Sequence, residues 1–370
     1  MPPPLEPDFG QSPRKRRTRY RGTHPRRIEE RYKEKNLEQF PELEAHLAEK
    51  GRTPVGRHLP IMVAEVLAAL RPKPGETVAD LTVGYGGHAA AFLECTSPNG
   101  RLIGLDLDGP QLAATQARLA QSVSAERLHL HNSHFAGLPK VLAAEGFAAT
   151  DGTSTGVDII FADLGVSSMQ IDDPQRGFSY KHDGPLDMRM NPQRPRTAAD
   201  VLRTITPQAL VAALRDLSDE PDAEQVADAI LRRRNEGPIT RTGELTDVVL
   251  AAKGFTRRTW AAAVRAGETD LHPAARTFQA LRILVNDELQ GLEQLLRIIP
   301  NCLNSGGRVG FLTFHSGEDR RVKHALLDGL RDGIYSQIAD DPVRASPSER
   351  HANPRSTSAK LRWAVRSAMA

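Results

Sequence analysis

Residues 77 to 88, Thr-Val-Ala-Asp-Leu-Thr-Val-Gly-Tyr-Gly-Gly-His, constrain the fold more than any other stretch. A short apolar run ends on Asp80 and breaks into a loop with Gly84, Gly86 and Gly87, ahead of a helix expected from about His88. Glycine lets such a loop bring its backbone against a ligand, and the N-terminus of the helix behind it suits a nucleotide-like group. A second apolar run, Arg101 to Asp106, ends on a carboxylate twenty positions after Gly86, the spacing of an acid that accepts hydrogen bonds from a ribose. A third run, Val157 to Asp163, also ends on a carboxylate. Strands alternating with helices predict an α/β fold with a parallel sheet, whose ligand lies outside the carboxyl ends of the strands. Asp80, Asp106 and Asp163 are therefore expected around one crevice. The glycine spacing differs from the G-x-G-x-x-G of dinucleotide sites and favours S-adenosylmethionine over NAD.

The 370 residues, 39% hydrophobic and 26% charged, suffice for one large domain plus an insertion or a second domain. Leu128 to Asn132 reads as another strand, and Phe135 just past it either walls an adenine site or packs in the core. His129, His131 and His134 invite a metal reading, but strand alternation explains them and no carboxylate has matching spacing, so no metal is expected. Cys95 and Cys302 read as buried thiols in a reducing cytosol. No apolar run approaches the roughly 18 residues of a membrane span and no secretory core is present, so a cytoplasmic protein without a membrane partner is expected. Positive charge concentrates in residues 11 to 35, with eleven Lys or Arg against three Glu. This arm, with Tyr20 and Tyr32, suits RNA phosphates and base stacking, and also suits a solvated tail.

After Ser168 the alternation stops. Residues 169 to 196 are rich in Asp, Pro, Gly and Arg, with Arg189 a candidate phosphate ligand and Met188 and Met190 read as core. Residues 197 to 270 read as helices, so residues 185 to 274 are expected to form an inserted helical domain, a substrate lid. Apolar positions from Phe278 to Ile299 predict one long helical stretch from Ala275 to Leu303, divided or kinked by Pro300. A strand from Arg308 to Phe314 then delivers His315 to the crevice. Arg355, Lys360 and Arg362, around a last strand, are candidates for phosphate contact or for a solvated strand end.

Asp80-x-Thr82-x-Gly-x-Gly-Gly-His88, Asp163-Leu-Gly-Val-Ser-Ser-x-Gln170, Arg176-Gly-Phe-Ser, Asp183-Gly-Pro-Leu-Asp-Met-Arg-Met190, Arg276-Thr-Phe-Gln-Ala-Leu-Arg282 and Phe314-His-Ser-x-Glu-Asp-Arg320 together resemble the RsmH (MraW) family over about residues 57 to 366. The resemblance implies a Rossmann-like class I S-adenosylmethionine-dependent methyltransferase domain (58–184 and 275–370) with the helical insertion (185–274), and leaves residues 1–57 as a basic N-terminal extension. It also implies methylation of a cytosine N4 in bacterial 16S ribosomal RNA. It places Gly86, Gly87, His88, Asp106, Phe135, Asp163 and Gln170 around the cofactor. The expected partner is small-subunit ribosomal RNA or the 30S particle, with a homodimer also open. Leu81, Tyr85, residues 218 to 223 and Gly317 depart from the family pattern, and the basic arm lies outside it.

The exocyclic amine of cytosine is a poor nucleophile, so transfer needs an acceptor beside it and in-line alignment. Asp163, or a backbone carbonyl in residues 164 to 167, is the candidate acceptor. Leu164-Gly165-Val166 offers no aromatic ring, which leaves Phe178 or a lid residue to stack the base. A DNA or protein methyltransferase on the same fold, and a non-catalytic RNA-binding assembly factor, remain alternatives.

Overall fold

A computed structural model describes residues 60–147, 156–267 and 271–368. Contacts divide the chain into Met1–Gly56 and Arg57–Ala370, and every described residue belongs to the second unit. The readings made for the basic arm fall outside the described residues.

Seven strands form one sheet in the order β3-β2-β1-β4-β5-β7-β6. They are β1 (Thr77–Asp80), β2 (Arg101–Asp106), β3 (Leu128–Asn132), β4 (Val157–Asp163), β5 (Leu303–Thr313), β6 (Tyr335–Ile338) and β7 (Lys360–Arg366). The first five run parallel, and β7 is antiparallel to both β5 and β6. This is the Rossmann-like arrangement of class I methyltransferases. β1, β2 and β4 read as near-continuous apolar runs because helices bury both faces of the sheet. Successive residues feed opposite cores: Val78, Leu102 and Ile159 join one cluster, Ala79, Ile103 and Ile160 the other.

Helices α1 (Val63–Leu70), α2 (Gly87–Cys95), α3 (Gly109–Leu119) and α4 (Leu138–Ala144) link the early strands, and the short α5 (Ser168–Asp172) follows β4. α1 packs over β5 and β7. Next come α6 (Ala198–Thr204), α7 (Pro207–Ser218), α8 (Ala223–Glu236), α9 (Thr242–Ala252) and α10 (Arg257–Ala266), started by threonine caps at Thr197, Thr206 and Thr256. These helices have a third core, built on Leu202, Leu214, Val226 and Val249. That core also takes in Phe178 and Met188 from before the helices and Phe278 and Val285 from after them, so the layer grips the chain on both sides of residues 185 to 274. No described helix is long and apolar enough to cross a membrane.

The single helical stretch expected from 275 to 303 is two helices, α11 (Ala275–Asn286) and α12 (Glu288–Cys302). Asp287, at φ 52°, turns the chain between them, while Pro300 lies inside α12 without ending it. β5 starts at Leu303 rather than Arg308, with its register to β4 broken near Val157. Cys302 is buried, but Cys95 is only half-buried.

After β5 come α13 (Ser316–Arg331) and α14 (Pro347–Ala352). Lys360 and Arg362 reach no solvent phosphate site. Both bind the Asp319 carboxylate, with Lys360 Nζ and Arg362 Nε each at 2.6 Å, and this ties the first turn of α13 to β7. Asp319 and Arg362 are buried. Burial alone would raise the Asp319 pKa, but its two cationic partners hold it below the usual carboxylate value. Removing one partner of a buried pair leaves the other charge uncompensated. Asp319→Ala is expected to cost roughly 3–5 kcal/mol in urea unfolding followed by circular dichroism, whereas a surface pair such as Arg331–Asp328 should cost little.

Candidate active site

A cavity of about 580 Å³ opens at the carboxyl ends of β1, β2, β4 and β5, beneath the helical layer. Its size is that of a small-molecule site, and β1 is the point where the strand order reverses.

Asp106 lines the cavity and is fixed by two backbone donors, Gly84 N–H at 2.7 Å and Asp108 N–H at 2.8 Å. Each carboxylate oxygen keeps a lone pair for a ligand hydroxyl. Burial pushes the Asp106 pKa up despite these bonds. Gly84, Tyr85, Gly87 and His88 also line the cavity, but Gly86 does not. Gly86 has φ 68°, and a Cβ there would meet Thr115 Cγ2 at 2.7 Å and Leu119 Cδ1 at 3.1 Å on α3. A Cβ on Gly87 would strike Pro60 at 2.6 Å. The two glycines are thus required by packing within the chain.

Of the three acids expected around one crevice, Asp106 and Asp163 line it and Asp80 does not. The register gives the reason. Asp80 pairs with Gly104 and Phe161, two residues short of Asp106 and Asp163 along their strands. At about 3.3 Å per residue it sits well below the rim. It is 1% exposed, with Oδ1 accepting from Thr82 N–H at 3.1 Å and Oδ2 without a hydrogen-bond partner. Thr82 stands nearer the rim, and its Oγ1 accepts from Asp163 N–H at 2.6 Å.

Asp163 keeps 28% of its side chain exposed to the cavity. Burial, then the charges of Asp80 and Glu318, push its pKa up to about 8. Burial likewise pushes Asp80 up to about 7, with the Asp106 charge adding to it. His88 is buried, with Nε2 3.0 Å from Ile61 O and Nδ1 3.9 Å from Asp163 Oδ2. Burial pushes its pKa down to about 4. The neutral ring, donating from Nε2 to the Ile61 carbonyl, then turns its Nδ1 lone pair toward Asp163.

Phe135 both lines the cavity and packs on the core. Gln170 also lines the cavity. Its Oε1 accepts from Ser167 N–H at 3.0 Å and its Nε2 donates to Asp108 at 3.1 Å. Arg176 donates to the same Asp108 carboxylate at 2.7 Å. His315 lines the cavity too, as its place after β5 predicts. Gly317 gives its ring room, since a Cβ there would lie 3.1 Å from His315 Nδ1.

Glu318, Arg282 and Glu288 line the cavity without having been singled out as site residues. Glu318 accepts from Phe314 N–H at 2.8 Å and lies 3.1 Å from His315 Nε2. Burial would raise its pKa, but these neighbours and Arg282 hold it low. Arg282 forms a two-pronged pair with Glu288 at 2.9 and 3.0 Å. Arg282 and Glu318 belong to motifs quoted above and Glu288 lies outside them, yet only the fold makes the three neighbours.

Two other expectations fail. Glu145 supplies the carboxylate that the strand histidines were thought to lack, with His129 Nδ1 and His131 Nε2 each 2.8 Å away. Among the described residues no group of His, Cys, Asp or Glu is arranged to hold a metal ion. Arg189 is not a free phosphate ligand, because its guanidinium is consumed by Asp187 and by the carbonyls of Pro192 and Arg194.

The pocket combines a backbone-held carboxylate, Asp106, an aromatic ring, Phe135, and a carboxyl of raised pKa, Asp163. A carboxylate fixed by backbone donors beside an aromatic ring fits the ribose and base of an adenosyl group. The model described as the MraW methylase family matches residues 56–367. The chain belongs to that family. It is 41% identical over 98% of its length to "Ribosomal RNA small subunit methyltransferase H 1" of Lachnoclostridium phytofermentans, covering 96% of that protein. It is 39% identical over 97% of its length to "Ribosomal RNA small subunit methyltransferase H 2" of Alkaliphilus metalliredigens, covering 99% of that protein. It is 43% identical over 83% to the "Ribosomal RNA small subunit methyltransferase H" of Acidothermus cellulolyticus, covering 93% of it. The first two alignments take in most of the basic N-terminal segment, which the motifs alone had left outside the resemblance.

Two results should follow in this methylase. Gly86→Ala should lower the stability of the cofactor-free protein by roughly 1–3 kcal/mol in thermal unfolding; no loss would return this glycine to a ligand role. Asp80 and Asp163 bind protons in the folded chain that the unfolded chain releases above about pH 4. Their contribution is therefore present below that pH and is lost as pH rises through about 7 to 8. Asp80→Asn should flatten the fall of melting temperature between acid and mildly alkaline pH. An unchanged profile would show that the two carboxyls do not share this burden.

Proposed function

We propose that this methylase transfers the methyl group of S-adenosylmethionine to N4 of a cytidine in small-subunit ribosomal RNA. The observation that carries the reading is Asp163. It is a carboxyl of raised pKa at the end of β4, in the cavity between the sheet and the helical layer. The chain around it aligns nearly end to end with small-subunit ribosomal RNA methyltransferases.

The cofactor supplies an electrophilic methyl group on a sulfonium, which leaves as a neutral thioether. Asp106 would hold the ribose hydroxyls with the lone pairs that Gly84 and Asp108 leave free. Phe135 would flank the adenine, with Gln170 closing the pocket and Gly87 and His88 bordering it. Asp163 accepts a hydrogen bond from the cytosine amine, turns the nitrogen lone pair toward the methyl group and takes up the proton released. A carboxyl poised near neutral pH suits that exchange better than one ionised far below it. Phe178 lines the cavity but is 7% exposed and belongs to the helical core, so stacking of the target base would fall to a residue of the lid. On this reading the protein works in the cytoplasm, on RNA alone or on the 30S particle, where an unpaired base can reach the pocket.

Mass spectrometry of nucleosides from small-subunit RNA should show N4-methylcytidine only when the protein is supplied, and its absence would overturn the function. Asp163→Ala should abolish transfer of tritiated methyl groups. Asp163→Asn should slow transfer by roughly 100-fold or more while calorimetry still detects cofactor binding. Near-parental turnover in Asp163→Ala would remove Asp163 from the chemistry without touching the rest.

A further inference from the structure

A line of aromatic rings leads out of the cavity and takes no part in the chemistry above. Phe278 and Tyr180 line the cavity, with ring centroids 5.8 Å apart, edge to face. Tyr180 stacks on His272 at 4.5 Å and an interplanar angle of 22°. His272 meets Trp260 at 5.4 Å, and Trp260 meets Phe255 at 5.5 Å. Phe278 is the buried anchor, and the other four rings are half-buried. Phe278 and Tyr180 pack with the core of the helical layer, but the outer rings of the row do not. Neither Trp260 nor Phe255 packs into the hydrophobic cluster of the helical layer, and α10, which carries Trp260, buries only Ala263.

Among the described residues, exposed cations stand beside the row. Lys181 is exposed at the cavity edge, its Nζ 6.0 Å from the Tyr180 ring. Arg258, two residues before Trp260, is exposed as well. The nearby acids Asp183 and Asp247 are already paired, with Arg241 and Arg257. Burial, then the charges of Lys181 and Arg257, push the His272 pKa down to about 4, so at neutral pH it stacks as an uncharged ring.

We propose that Tyr180, His272 and Trp260 form a stacking ramp for the unpaired RNA bases that flank the methylated base, with Lys181 contacting backbone phosphate at the cavity mouth. The proposal rests on the ribosomal RNA reading and adds to it how the strand is held. Every nucleobase presents a π-face, so rings in a row hold a single strand with little regard to sequence, while a cation contributes the salt-dependent part. A base-paired strand cannot offer its faces to the ramp, so the arrangement selects unpaired RNA.

The test uses the full chain and an unpaired oligocytidylate of about a dozen nucleotides, within the span such surfaces cover. Binding is followed by anisotropy of labelled RNA at several salt concentrations. Trp363 is the only other tryptophan in the sequence, so a Trp363→Phe background lets fluorescence report Trp260. RNA should quench that signal. Trp260→Leu and Tyr180→Leu should each weaken binding roughly tenfold without changing the salt slope, and Trp260→Phe should retain most of the affinity. Lys181→Gln should reduce the slope of log K against log salt by about one. Circular dichroism and calorimetry with S-adenosylmethionine serve as controls for folding. Protein that makes N4-methylcytidine while Trp260 stays unquenched, or whose leucine variants bind RNA as the parent does, overturns the ramp alone. Protein that neither binds RNA nor makes the modified nucleoside overturns the ribosomal RNA reading beneath it.

Discussion

Too many carboxyl groups meet at the carboxyl edge of this sheet for all of them to ionise unaided. Charge in a poorly hydrated cavity must be neutralised, hydrogen-bonded or protonated. The structure uses each solution in a different place. Asp106 receives two backbone N–H groups, and Asp108 receives Arg176 and Gln170. Glu318 has Phe314 N–H, the His315 ring and the field of Arg282. Asp80 and Asp163 have little of this support: burial raises both, the Asp106 charge adds to it at Asp80, and the Asp80 charge adds to it at Asp163. The acid left poised at neutral pH is thus the one that faces the cavity at the end of β4. Its raised pKa follows from how its neighbours have been satisfied, as much as from its own surroundings.

Much of the sheet was legible because parallel strands buried on both faces must be apolar throughout and must stop where the chain turns. β1 through β4 end at Asp80, Asp106, Asn132 and Asp163, as the apolar runs predict. The roles of those terminal acids were less legible. Asp80 and Asp106 carry the same local signature, and only the register, which sets Asp80 opposite Gly104, separates a rim residue from a buried one. The glycine loop was located correctly, but Gly86 and Gly87 answer to the packing of Thr115 and Pro60, which the sequence did not show. Partners distant in the chain were invisible for the same reason: Glu145 beneath His129 and His131, and Asp319 beneath Lys360 and Arg362. The short edge strand β6, Tyr-Ser-Gln-Ile, lacks an apolar run because it pairs on one side only.

The segment between Pro174 and Arg194 shows how composition misleads. Its Gly, Pro, Asp and Arg suggest a mobile binding loop, but the folded segment is braced throughout. Gly177 and Gly184 let the chain double back, since a Cβ on either would strike Pro185 O at 2.3 Å or Pro174 O at 1.9 Å. Arg176 reaches from Asp108 to the carbonyls of Arg189 and Met190. Asn286, at the end of α11, donates to Met188 O and accepts from Met190 N–H, both at 2.8 Å. Arg194 closes the strap on Val285 O at 2.7 Å. Side chains that a solvent-facing loop would offer to a ligand are spent here on the backbone of the same segment. The consequence lies at Tyr180 and Lys181, which this strap carries to the mouth of the cavity. A loop free in solution would lose conformational entropy each time it closed on a ligand, whereas a strap ordered during folding presents its ring and its cation already in place.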